Sequence, residues 1–392
     1  MERAELIEVV RHSGCAVERA GRIFLTDPKW SESDRAHVAR VQSAVEASGA
    51  GLGGERGWLG IPTGGTRGGL RFARHDENTL SAAVRGFVDF FGLERINAVD
   101  VLPPYHVSGF MSRVRCAATG GRHVTMEWRR LEAGERPDLD AGAGPWVISL
   151  VPTQLQRLLS SVDATAWLRR FEVVFVGGGP SWPSLTDQAA AAQIRVALTY
   201  GMTETAAMVA AISPTDFLAG ERTGATVMPH ARIELGPDAT VIVEGTSVFR
   251  GYFPDFETAR RFQTDDVGQW DDRGRLRILG RKDAVIITGG KKVQPLEVEA
   301  ALQATGQFVD VAVLGMPDPT WGEAVVACYP RGETTGPNLS VVERGVESTL
   351  APHKRPKRYV AISDGPRNAQ GKLSRPELAR RIAQIEAGAS GT

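Results

Sequence analysis

The stretch from Phe171 to Glu204, FEVVFVGGGPSWPSLTDQAAAAQIRVALTYGMTE, decides how this chain folds. Phe171-Glu172-Val173-Val174-Phe175-Val176 is a short apolar run that reads as a buried strand, and Ile194-Arg195-Val196-Ala197-Leu198 reads as another. Two earlier runs, 97–102 (NAVDVL) and 146–151 (WVISLV), have the same character. Ahead of them Leu80, Ala83, Val84, Phe87, Val88 and Phe91 recur at the spacing of one face of an amphipathic helix. Strand, helix and strand in repetition predict an α/β fold with a largely parallel sheet covered on both faces. Ligands of such sheets bind beyond the carboxyl ends of the strands. Those ends here are Pro103-Pro104-Tyr105-His106, Gly177-Gly178-Gly179-Pro180 and Thr199-Tyr200-Gly201.

The pattern changes twice further along. From about 222 to 282 shorter strands with turns, such as Thr240-Val241-Ile242-Val243-Glu244, predict a small β-rich subdomain. After Asp283 a smaller α+β unit is expected, with a strand at 285–287, a helix over 295–303, a strand over 309–314 and a last helix from Arg375. The expected division is 1–282 and 284–392, with flexible stretches at 48–54 and 388–392. A length of 392 residues supports two cores. Equal numbers of basic and acidic residues, 46 each, give no global attraction to nucleic acid or an anionic membrane. Cys15, Cys116 and Cys328 are too far apart for a disulfide framework or a metal site, which points to a reducing compartment. With neither a long apolar run nor a signal-peptide core, a cytoplasmic protein is expected.

Several polar segments fall where chemistry is expected. Thr63-Gly64-Gly65-Thr66-Arg67-Gly68-Gly69 is a turn whose glycines let backbone N–H groups converge on an anion, with hydroxyl donors on Thr63 and Thr66. It lacks the Gly-Lys-Ser/Thr ending of a Walker loop, and an ordinary hairpin is its other reading. Glu204, after a buried strand, offers carboxylate oxygen to a hard cation or serves as a helix N-terminal charge. By themselves Asp266 is a carboxylate with two acceptor oxygens, Arg281 would form a surface pair with Asp272 or Asp283, and Lys372, in the polar turn Asn368-Ala369-Gln370-Gly371-Lys372, reads as a solvated lysine.

Taken in order, the Gly-rich turn, Tyr200-Gly201-Met202-Thr203-Glu204, Asp265-Asp266-Val267-Gly268, Gly280-Arg281-Lys282-Asp283 and Gly371-Lys372 resemble the motifs of the adenylate-forming superfamily of acyl-CoA synthetases and luciferases. The resemblance implies an enzyme that uses ATP and Mg²⁺ to adenylate a carboxylic acid and passes the acyl group to coenzyme A. It implies that Thr63, Gly64, Gly65, Thr66 and Gly68 cradle phosphate, and that Gly178, Gly179, Pro180, Tyr200, Gly201 and Met202 border the adenine. Thr203 would contact the α-phosphate, Glu204 would hold Mg²⁺, Asp266 and Arg281 would take the ribose, and Lys372 would bridge the reacting anions. Asp283 aligns with the hinge, and Gly289 and Gly290 with the loop used in the thioester step. Gly64, Arg67, Leu70-Arg71 and Asp265 depart from the family pattern.

Tyr105-His106-Val107-Ser108-Gly109 resembles the wall of the acyl pocket, a core histidine being the other reading of His106. With a short segment before the Gly-rich turn, this is similar to the o-succinylbenzoate–CoA ligases of menaquinone and phylloquinone synthesis. That acid has a second carboxylate, for which His106, Ser108, Gly109, Arg113 and Arg115 are the expected surroundings. The expected partners are small molecules alone, with no nucleic acid and no membrane, and the oligomeric state is left open. Two alternatives remain: an aryl-acid ligase loading a carrier protein, and a silent nucleotide-binding homologue.

Overall fold

The computed structural model describes residues 1–19, 21–47, 57–64, 70–308, 310–331, 336–363 and 375–389. Strands β1 (Ala16–Arg19), β2 (Arg22–Leu25), β3 (Leu59–Gly64) and β4 (Leu70–His75) form a first, four-stranded sheet. The second has seven strands: β5 (Asn97–Asp100), β6 (His123–Thr125), β7 (Trp146–Leu150), β8 (Val173–Val176), β9 (Val196–Met202), β10 (Ala207–Ile212) and β11 (Thr226–Val227). Their order is β11-β10-β9-β8-β7-β5-β6, parallel from β9 to β6 and antiparallel at β10 and β11.

Both faces of this sheet are covered, which is why its strands are continuous apolar runs. On one face Ile148, Leu150, Val174 and Val196 share a core with Leu155, Leu158, Trp167, Leu168 and Leu185 of three short helices. On the other lie α3 (Glu77–Phe91) and α4 (Val107–Ala118), α1 (Arg3–Arg11) and α2 (Glu32–Ala47) being the two helices that precede them. Phe87 of α3 packs with Val147, Val173 and Phe175, while Leu80 and Val84 pack with Leu25, Leu59 and Ile61 of the first sheet. Each such side chain contributes about 1.5–3 kcal/mol by burial. Asp76 starts α3 by accepting from the Thr79 N–H at 3.0 Å, and Gly92 ends it in the left-handed conformation.

The third sheet, β12 (Ala231–Leu235), β13 (Thr240–Gly245), β14 (Arg261–Trp270) and β15 (Leu276–Arg281), is wholly antiparallel. The fourth consists of β16 (Ile286–Thr288), β17 (Lys291–Val293), β18 (Ala312–Asp318), β19 (Gly322–Pro330) and β20 (Arg358–Ile362). The two apolar clusters around it draw only on residues from Ile286 onward.

The strand expected at 194–198 starts at Val196 and runs on to Met202, and the one expected at 309 starts at Ala312. The last helix, Arg375–Ala389, takes in Gly388, which composition assigned to a flexible tail. The stretch 48–54 lies outside the described residues. Among the described residues no helix is long and apolar enough to cross a membrane, and the three cysteines are free.

Candidate active site

At the carboxyl end of β9 the chain does not enter a helix. Thr203–Thr205 form one 3₁₀ turn, Ala206 follows in the left-handed conformation, and β10 returns beside β9. Glu204 is therefore not a helix-start charge. The hairpin is tight: a Cβ on Gly201 would stand 2.0 Å from the Ala207 carbonyl oxygen, so only glycine allows it. Thr203 and Glu204 are 6% and 7% exposed.

Tyr200 reaches the third sheet. Its hydroxyl donates to Asp266 Oδ2 at 2.8 Å, and Asp266 stands directly opposite Arg281 in the β14–β15 register. Arg281 donates to Asp266 Oδ1 at 3.4 Å, to Asp265 at 3.2 Å and to both oxygens of Asp283 at 2.8 and 2.9 Å. Asp265 thus shares the arginine with its neighbour, and the alternative pair with Asp283 exists alongside. Burial raises the Asp266 carboxyl, opposed by the Tyr200 bond and Arg281. Burial and the adjacent Asp266 charge push the Tyr200 hydroxyl well up, which keeps it a donor.

Glu204 Oε1 accepts from the Tyr252 hydroxyl at 2.6 Å. Its Oε2 takes no hydrogen bond from a described residue. One hard carboxylate oxygen beside Thr203 is thereby left available, and such an oxygen could hold Mg²⁺, which completes its shell with phosphate and water. Among the described residues no group of three acidic, histidine or cysteine side chains could hold a metal without that help.

The Gly-rich turn joins β3 to β4, with Thr63 opposite Arg71 and Gly64 opposite Leu70. Thr63 is buried. Gly65, Thr66, Arg67, Gly68 and Gly69 lie outside the described residues, as does Lys372. The turn after β8 has Gly178 at φ +77°, followed by Gly179 and Pro180. Gly289 and Gly290, at φ +54° and +74°, connect β16 to β17, and the Gly289 N–H bonds the Trp321 carbonyl at 2.8 Å.

His106 precedes α4, its ring 4.7 Å from that of Tyr105. Ser108 and Gly109 lie in the first turn of α4. A Cβ on Gly109 would come within 2.5 Å of the Pro103 carbonyl oxygen, so this glycine lets α4 start hard against the exit of β5. The two arginines separate, which corrects the expectation of a shared role. Residues two apart on a helix do not face the same way. Arg113 lies 3.7 Å from the fully buried Asp100 carboxylate and donates to Thr125, beside a groove of about 260 Å³. Arg115 is 3% exposed, with its guanidinium 4.3 Å from the Phe87 ring centroid. Its Nε and Nη2 have no hydrogen-bond partner among the described residues, and burial lowers it to about 10.

Sequence reasoning missed the support beneath the Thr203 turn. His75 Nε2 donates to the Thr203 carbonyl at 2.8 Å, and Arg250 bonds the buried Asp76 at 2.9 Å. Burial lowers the His75 imidazole to about 4, against an ordinary value of 6.5. Between these values the unfolded chain binds more protons, so the stability His75 contributes is complete above 6.5 and is lost as pH falls toward 4. The scale is about 1.4 kcal/mol per pH unit at most. The thermal midpoint should therefore drop between pH 7 and 4.5, and drop less in His75→Asn. An equal drop in the variant would assign the acid sensitivity elsewhere, His230 being another imidazole lowered to about 4 by burial.

Residues 60–253 match the AMP-binding enzyme family, and 297–372 match the AMP-binding enzyme C-terminal domain. The chain is 34% identical over 336 residues to a probable 2-succinylbenzoate–CoA ligase of Mycobacterium tuberculosis, covering 83% of this chain and 84% of the relative. It is 30% identical over 304 residues to the 2-succinylbenzoate–CoA ligase of Geobacillus sp. (strain WCH70), which is 74% of this chain and only 61% of that relative. The solved structure of O-succinylbenzoate coenzyme A synthetase from Bacillus subtilis with ATP and magnesium superposes with a TM-score of 0.70 at 22% identity, over 82% of this chain and 70% of that one. At that identity the likeness is one of fold.

Proposed function

The chain belongs to the AMP-binding enzyme family, and from that premise we propose that it is an acid–thiol ligase, adenylating o-succinylbenzoate with ATP and then forming its coenzyme A thioester in menaquinone or phylloquinone synthesis. The observation that carries the reading is the Tyr200–Asp266 hydrogen bond of 2.8 Å. It joins the Thr203–Glu204 turn to Asp266 and Arg281, segments far apart in the chain that one nucleotide would need together.

In the first step a carboxylate oxygen of the acid attacks the α-phosphorus and pyrophosphate departs. Tyr200 and the Gly178 turn border the purine, Asp266 accepts from the ribose hydroxyls, and Thr203 donates to the α-phosphate. Thr63 and its turn take the outer phosphates. Glu204 holds Mg²⁺, which when bound neutralises phosphate charge. Lys372 offsets the two approaching anions, and such positioning and charge compensation is the main source of rate in phosphoryl chemistry. In the second step the thiol sulfur attacks the acyl carbon, the bond to the AMP oxygen breaks, and the thiol proton goes to solvent. The unit from 284 onward turns about Asp283, withdrawing Lys372 and presenting Gly289 and Gly290. The setting is cytoplasmic, with small-molecule partners.

The direct test is pyrophosphate release with a panel of acids, followed by product analysis with coenzyme A as sole acceptor. Release with no acid would defeat the reading. Adenylate formed but never passed to coenzyme A would favour a carrier protein as acceptor. The hinge has its own test. Proline fixes φ near −65°, so Asp283→Pro should lock one orientation. Adenylate should then accumulate while thioester formation falls steeply. Equal losses in both steps, with the fold intact, would count against a hinge at 283.

A further inference from the structure

Residues 249–253 run beside β4 without belonging to a sheet. The Arg250 N–H bonds the Arg74 carbonyl at 2.8 Å, the Arg74 N–H bonds the Gly251 carbonyl at 2.9 Å, and the Phe253 N–H bonds the Phe72 carbonyl at 2.9 Å. The Phe249 N–H also bonds the Glu204 carbonyl at 2.8 Å. Tyr252 is thereby fixed between the strand that leaves the Gly-rich turn and the Glu204 turn. Its ring meets Phe249 edge-on at 4.8 Å, and the Arg71 guanidinium carbon lies over its face, 4.0 Å from the centroid. Its hydroxyl gives Glu204 Oε1 the 2.6 Å hydrogen bond.

We propose that Tyr252 is a positioning residue for Glu204: by holding one carboxylate oxygen it aims the other at the divalent cation that accompanies the nucleotide. This rests on the reading of Glu204 as the metal-holding acid. Mg²⁺ accepts little deviation from octahedral geometry, so a carboxylate free to rotate binds it less well than one held through its second oxygen. Arg71 keeps the ring in place, and a cation over the face of a phenol makes its hydroxyl a stronger donor.

The readout is an equilibrium one: the dissociation constant of ATP from the full chain by titration calorimetry, with excess Mg²⁺ and with EDTA. The ratio of the two constants measures the metal's contribution. Tyr252→Phe keeps the ring, its contact with Phe249 and the Arg71 stack, and should cut that ratio about tenfold while leaving metal-free binding unchanged. Glu204→Gln should cut it at least as far. A ratio reduced in Glu204→Gln but native in Tyr252→Phe would overturn the positioning role and leave the metal reading standing. A native ratio in both would remove the metal reading and this inference with it. Equal weakening of both constants in Tyr252→Phe would mean that the hydroxyl serves only the fold, which also overturns the proposal.

Discussion

Lys372→Ala should lower the adenylation rate by roughly 10²–10³-fold, the usual consequence of losing one preorganised electrostatic donor. Attack of a carboxylate on ATP brings two anions together, and an ammonium between them offsets both charges. The match to the family's C-terminal domain runs as far as Lys372. The segment that carries it ends three residues later on a fixed point, because Arg375 bonds Glu299 at 2.9 Å and the Val313 carbonyl at 3.2 Å. Thioester formation from pre-made acyl-adenylate should be spared, since on the proposed rotation about Asp283 the lysine would by then have left. Pyrophosphate release at a near-native rate would put the catalytic cation elsewhere.

Arg115→Ala should lower kcat/KM for o-succinylbenzoate on the order of 10²-fold, the range expected when one partner of a buried charge pair is removed. Benzoate and a medium-chain fatty acid should be much poorer substrates than the dicarboxylate, and should lose far less in this variant. A guanidinium this deeply buried, with Nε and Nη2 unpartnered among the described residues, is costly unless an anion meets it. The carboxylate that does not react is the candidate. Arg113 is held by Asp100 and Thr125, so Arg113→Ala should leave the preference among acids unchanged. Equal losses for all three acids in Arg115→Ala would reduce this residue to a packing role against Phe87. A fatty acid turned over as well as the dicarboxylate by the native enzyme would remove the substrate assignment altogether.

The contrast between the two arginines shows where reading the chain stopped short. Arg113 and Arg115 are neighbours in the sequence and were expected to act together, yet α4 turns one toward Asp100 and the other toward Phe87. Strands β7 and β8 were legible because burial on both faces makes a strand apolar throughout, and α3 because its apolar face repeats with the helical period. The β1–β2 hairpin was not: its strands have four residues each, and β1 is mostly exposed, so no apolar period forms.

By itself the sequence determined the alternation of elements, the end of the sheet where a site belongs and the order of the polar segments, because backbone conformation and apolar periodicity are set by near neighbours. Only the tertiary structure decided which polar atoms meet. Tyr252 reaches Glu204 across 48 residues and Arg250 reaches Asp76 across 174. Such pairs depend on sheet order and on how the segment 249–253 is laid against β4. No local pattern encodes either of these, because both are settled only when separate apolar faces are buried against one another.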